Sequence, residues 1–153
     1  MHRMEGTPKL LTTVGLVIEF LAFILFIVLT IVANIVAAIP KADLIARNWS
    51  EYDADIFLQT TSVFSNVFLA ISILIGVMLI VNLVLFIGLM KGRFSGKKVK
   101  AIYVYQAIWG AISLTFNTIT GVLYLISAVQ THTKYYPGEN HKNRRGKKEH
   151  GVE

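Results

Sequence analysis

Three long stretches of the chain are apolar almost without interruption, and short charged segments separate them. Leu10 to Ile39 holds a single charge, Glu19, while Ile56 to Met90 and Ala101 to Thr133 hold no Asp, Glu, Lys or Arg. About 20 apolar residues at 1.5 Å rise cross a bilayer. A backbone in hydrocarbon must satisfy its own N–H and C=O groups, so such segments are helical. The pattern predicts an all-α, polytopic integral membrane bundle, residues 1–133, with helices over about 8–39, 57–90, 97–115 and 117–134. Residues 134–153 are polar, rich in Lys, Arg, Asn and Gly, and without apolar periodicity, which predicts a disordered basic tail.

The first block is expected to be a retained anchor helix. Its apolar run far exceeds the roughly 7–15 residues of a signal-peptide core. Thr7-Pro8 suits a helix start and Pro40 a stop, and Ser95-Gly96 and Pro137-Gly138 flank the third block.

Loop charges decide the expected number of spans. Lys and Arg number two before the first block (Arg3, Lys9) and two between the first and second (Lys41, Arg47). Five lie between the second and third (Lys91, Arg93, Lys97, Lys98, Lys100) and six after the third. Three single spans would divide them into 7 and 8, without bias. A third block folded as a helical hairpin divides them into 13 and 2, which the positive-inside rule favours. The expectation is four spans in the cell membrane with both termini cytoplasmic, the turn falling near Thr115-Phe116-Asn117-Thr118 with Asn117 capping the last helix. The alternative is one long tilted third helix, because two half-block helices of about 27–28 Å fall just short of a 30 Å core.

Composition narrows the function. Hydrophobic residues make up 54% and charged ones 16%, with a net charge of +6; a soluble domain carries about 25% charged residues. A soluble enzyme, an ordinary DNA-binding domain and a disordered chain are excluded. With no cysteine there is no disulfide framework, thiol nucleophile or Cys-ligated metal. His2, His132, His141 and His150 lack metal-binding spacing, and no nucleophile-elbow, Walker or dinucleotide motif occurs. No enzyme, metal or cofactor is expected.

Glu19 is the one acid within a span. It lies about 15 Å from the cytoplasmic boundary at Lys9, while Asn82 lies about 13 Å from Lys91 and Gln106 about 9 Å from Lys100. A carboxylate in lipid costs at least about 2.5 kcal/mol and must face the bundle or be protonated. Glu19, Asn82 and Gln106 therefore form a candidate intramembrane polar cluster, read first as a clasp between helices and second as a proton- or cation-responsive site. Asn34, Ser65, Asn66 and Asn117 form a candidate second polar layer. Ser72/Gly76, Ala33/Ala37 and Ala107/Ala111 allow close helix approach.

Residues 40–60 carry Asp43, Glu51, Asp53 and Asp55 beside Trp49 and Tyr52, and are expected outside the cell. Glu51-x-Asp53-x-Asp55 has the alternate carboxylates of a calcium loop but neither its sixth-position Gly nor its closing Glu, so it reads as a solvated acidic face. Asn48-Trp49-Ser50 matches a glycosylation sequon, relevant only in a eukaryotic secretory route. Lys97, Lys98 and Lys100, with Arg144, Arg145, Lys147 and Lys148 of the tail, are candidate contacts for anionic lipid. Nucleic acid is not an expected partner, since no groove-reading element accompanies the charge.

Thr7-Pro8-Lys9 with Gly15-Leu16-Val17, the basic loop after the second block, and Asn117-Thr118-Ile119-Thr120-Gly121-Val122-Leu123-Tyr124-Leu125-Ile126 resemble a family of small four-helix membrane proteins of low-GC Gram-positive bacteria, known as a domain of unknown function. The resemblance covers about residues 7–131, although the third block holds fewer glycines than the family's pattern. It implies a polytopic bacterial membrane fold and supplies no catalytic residue. The expected function is that of a non-enzymatic accessory, immunity or envelope-stress type subunit. Its partners would be the bilayer and a membrane protein or a second copy of itself. The rival is a small transporter or channel subunit operating through Glu19.

Overall fold

The computed structural model describes residues 3–135; of the sequence-predicted tail 134–153, Lys134 and Tyr135 end α5, and the rest, with Arg144, Arg145, Lys147 and Lys148, lies outside the described residues. Among the described residues the chain is all-helical: α1 Gly6–Ala37, α2 Lys41–Ala46, α3 Glu51–Met90, α4 Lys97–Ser113 and α5 Thr118–Tyr135. The third apolar block is thus divided between α4 and α5. At 1.5 Å per residue the helices differ greatly in length: about 48 Å for α1, 60 Å for α3, and only 26–27 Å for α4 and α5. Two of them, α1 and α3, are long and apolar enough to cross a membrane.

Helix ends follow local chemistry. Ile39 N–H bonds to Val36 O at 3.2 Å, tightening the last turn of α1 before Pro40, whose extended backbone (ψ 134°) turns the chain into α2. Leaving α2, Asn48 adopts φ 67°, Trp49 N–H bonds to Leu44 O at 3.2 Å and Asn48 N–H to Ile45 O at 3.0 Å. This is a Schellman closure with asparagine in the left-handed position. The same pair of bonds ends α3, where Gly92 has φ 68° and Arg93 N–H reaches Gly88 O at 2.9 Å.

The second long helix starts at Glu51, six residues before the expected helix start at residue 57. Ser50 Oγ accepts from Asp53 N–H at 3.0 Å and donates to the Asp53 carboxylate at 2.7 Å, and the acids Glu51 and Asp53 complement the helix dipole. Asp55 pairs with Lys41 at 2.8 Å, linking α2 to α3. Its hydrogen bond and charge hold the lysine pKa above the usual value. The three acids of the calcium-like run therefore sit on opening turns of a helix, two of them already engaged.

The chain forms two compact units that cut across the long helices. The first contains α1 up to Ile18, α3 from Asn82, α4 and α5; the second contains residues 19–81. In the first, Met4 N–H bonds to Leu89 O at 3.1 Å and the Arg3 guanidinium to Met90 O at 2.8 Å, fastening the N-terminal segment to the end of α3. Tyr124 is fully buried, edge-on to Phe86 with ring centroids 5.2 Å apart. A Cβ at Gly15 would lie 2.5 Å from the Tyr124 ring, so the glycine makes room for it. α4 and α5 pack together around Gly110 and Gly121.

The second unit is a helix pair with a thin seam. Thr30 and Ser72 hydroxyls meet at 3.4 Å, Phe26 and Phe68 lie 6.3 Å apart, and the Phe23 ring covers Gly76. Most other large side chains of the pair face outward.

Candidate functional site

The first unit is held by hydroxyls and amides of α1, α4 and α5. Gln106 donates through Nε2 to Thr12 Oγ1 at 2.9 Å, Thr12 and Ser127 hydroxyls meet at 2.7 Å, and Ser127 donates to Pro8 O at 3.0 Å. Counting protons fixes the direction. The single Ser127 proton goes to Pro8, so Thr12 donates to Ser127 and its oxygen receives Gln106. Thr131 donates to Ser127 O at 2.6 Å, and Thr120 to Gly15 O at 3.5 Å. All of these side chains are at most 1% exposed. Asn82, also fully buried, accepts from the Tyr105 hydroxyl at 2.5 Å.

Asn82 and Gln106 therefore belong to one unit, each bonded to a partner on another helix. Gln106 Oε1 is left without a hydrogen bond among the described residues. Glu19 belongs to the second unit, where it is 2% exposed and engaged. On α1 it continues the buried stripe of Pro8, Thr12, Gly15 and Leu16 at helical spacing.

The candidate outer layer is shared between units. Asn117 lies in the first, its Oδ1 facing the Thr120 N–H at 3.4 Å across the α5 cap. In the second, Ser65 is buried, Asn34 donates to Thr30 O of its own helix at 2.9 Å, and Asn66 is exposed. Sequence reading missed Thr12, Thr120, Ser127 and Thr131. The signal was present: Thr120, Tyr124, Ser127 and Thr131 recur every three or four residues along α5.

Chemically this assembly holds helices together. Ser127 gives its proton to a carbonyl, which is not a base able to raise a nucleophile. The second unit has a shallow groove of about 640 Å³ beside Asn48, Trp49, Asp53 and Phe57, but Asn48 closes α2 there and Asp53 is engaged with Ser50, which caps α3. Lys97, Lys98 and Lys100 are exposed in the first turn of α4. Positive charge at a helix N-terminus opposes the dipole by about 0.3–1 kcal/mol each, so these lysines are not there to stabilise α4.

Comparison of the chain with protein-family models, with curated proteins and with solved structures finds no match.

Proposed function

We propose that this chain is a four-span cell-membrane protein with cytoplasmic termini, acting without catalysis as an accessory, immunity or envelope-stress type partner through its helix faces. The carrying observation is outward-facing apolar surface: only 22% and 28% of the most apolar windows of α1 and α3 are buried. The core helix of a soluble protein would show the reverse, and lipid is the solvent such faces fit. The family resemblance supplies the same four-helix expectation. Lys97, Lys98 and Lys100, placed against the α4 dipole, fit a basic face contacting anionic lipid at about 1 kcal/mol per charge.

Topology has a direct test, since the chain has no cysteine. Thiols introduced by Ser95→Cys and Gly138→Cys are expected to be labelled only after the cell is opened. Labelling of Gly138→Cys from outside would establish an odd number of spans.

A second reading rests on Glu19, a carboxyl buried in an apolar helix. If it moves protons or cations, purified protein in vesicles carries a pH-dependent flux that Glu19→Gln abolishes. The clasp reading expects no flux above empty vesicles and wild-type assembly of the Gln variant, because an amide keeps the hydrogen-bonding shape.

A further inference from the structure

The groove at the turn from α2 into α3 brings an aromatic pair and a carboxylate to one place. Its volume of about 640 Å³ falls in the range of small-molecule sites. Trp49 and Phe57 line it edge to face, with ring centroids 5.1 Å apart. The indole of Trp49 is 40% exposed, so aromatic surface stays open beside the packed pair. Asp53 lines the same groove. Its Oδ2 accepts from the Ser50 hydroxyl, while Oδ1 accepts no hydrogen bond among the described residues.

These groups are fixed before any ligand arrives. Asn48 in the left-handed conformation and the bond from Trp49 N–H to Leu44 O set the backbone beneath the indole. The mutual bonds of Ser50 and Asp53 hold the carboxylate on the first turn of α3. Little order therefore has to be imposed on binding.

Charge selects the ligand. Residues 41–60 contain four acids and two bases, and Lys41 already pairs with Asp55 at 2.8 Å. Arg47 remains against Asp43, Glu51 and Asp53, one base to three acids, a balance of −2. The start of α3 contributes about half a positive charge, which Glu51 and Asp53 outweigh. An anion is disfavoured, and a purely apolar ligand would cover a carboxylate without pairing it. Hard metal ions take roughly six or more oxygens, and among the described residues no group of three His, Cys, Asp or Glu could hold one. Aromatic faces beside one uncommitted carboxylate oxygen suit a large, weakly hydrated cation.

We propose that this groove binds an organic ammonium, its charged nitrogen against the Trp49 and Phe57 rings and beside Asp53. The ligand comes either from solution or from the headgroup of a neighbouring lipid, since both present the same chemistry. The site goes beyond the function proposed above and holds whatever the number of spans.

Equilibrium dialysis of radiolabelled choline against the full chain in mild non-ionic detergent tests it. Saturable binding is expected, and Asp53→Asn and Phe57→Leu should each weaken it at least about fivefold. Asn keeps an acceptor for Ser50 and Leu keeps apolar bulk on a helix, and circular dichroism verifies that both variants fold. Asp43→Asn removes an equal charge from α2 outside the groove lining and should change the affinity by less than about twofold. Dimethylbutanol, the uncharged isostere of choline, should not compete. Absence of saturable binding, competition by the isostere, or equal losses from Asp43→Asn and Asp53→Asn overturns the proposal. Nanodiscs of phosphatidylglycerol, with and without phosphatidylcholine, distinguish the two sources. Asp53-dependent binding that falls when phosphatidylcholine is added supports a headgroup in the groove, and binding that does not fall supports a ligand from solution.

Discussion

Gly121→Ala is expected to destabilise the protein by about 2–3 kcal/mol, the range of overpacking where the surroundings cannot yield. Intrinsic propensity points the other way, since alanine favours a helix over glycine by about 1 kcal/mol. The structure decides between them. A Cβ at Gly121 would lie 2.6 Å from Gly110 O and 2.8 Å from Leu114 N, both backbone atoms that move only if α4 and α5 separate. Gly110→Ala is expected to cost less, because its nearest atoms are Gly121 O at 3.0 Å and Tyr124 Cβ at 3.1 Å. Unfolding of wild type and both variants in mild detergent gives the order. A Gly121→Ala protein as stable as wild type, or more so, would show that the two helices do not approach this closely.

Thr12→Val keeps the shape of the side chain and removes its hydroxyl, and should cost about 2 kcal/mol. Bonds between membrane helices average about 0.6 kcal/mol, but a buried group left unpaired carries its full desolvation penalty of about 1–3 kcal/mol. The second figure governs here. Thr12, Gln106 and Ser127 are all 0% exposed, so water cannot replace the lost partner. The variant strands the Gln106 Nε2 group and takes away the proton that Ser127 accepts. Thr12→Ser should restore most of the loss. Adding Gln106→Leu to Thr12→Val should cost less than the two single changes summed, because the stranded amide is gone. Strict additivity in that double-mutant cycle would break the connection between the two residues.

The all-helical class could be read from the chain because apolar runs as long as Ile56–Met90 leave few other solutions. The division of the third block was readable at Thr115–Thr118, where polar side chains gather and the observed turn runs between Ser113 and Thr118. The start of α3 was misjudged because hydropathy marks where apolar residues begin, whereas Ser50 and Asp53 set the helix earlier through hydrogen bonds. The cost of a carboxylate in hydrocarbon singled out Glu19, while Asn82 and Gln106 were marked only as amides at similar depth; that both are buried, and against which partners, came from the structure. Depth counted along a helix says nothing about azimuth, and it is azimuth that brings Thr12 of α1 to Gln106 of α4 and Ser127 of α5. The exposed Asn66 was likewise placed at a depth, without the face it occupies.

The unequal rods carry one more consequence. On the four-span reading, α4 and α5 would present about 26 Å of length to lipid, whereas α1 runs about 48 Å and α3 about 60 Å. Acyl chains against the short pair must compress while those against α1 and α3 need not, at a cost of fractions of a kcal/mol per Å. On that reading, such a pair would thin the membrane beside it. The protein should collect in thin, fluid regions and leave thick, ordered ones, so membrane thickness would govern where it resides.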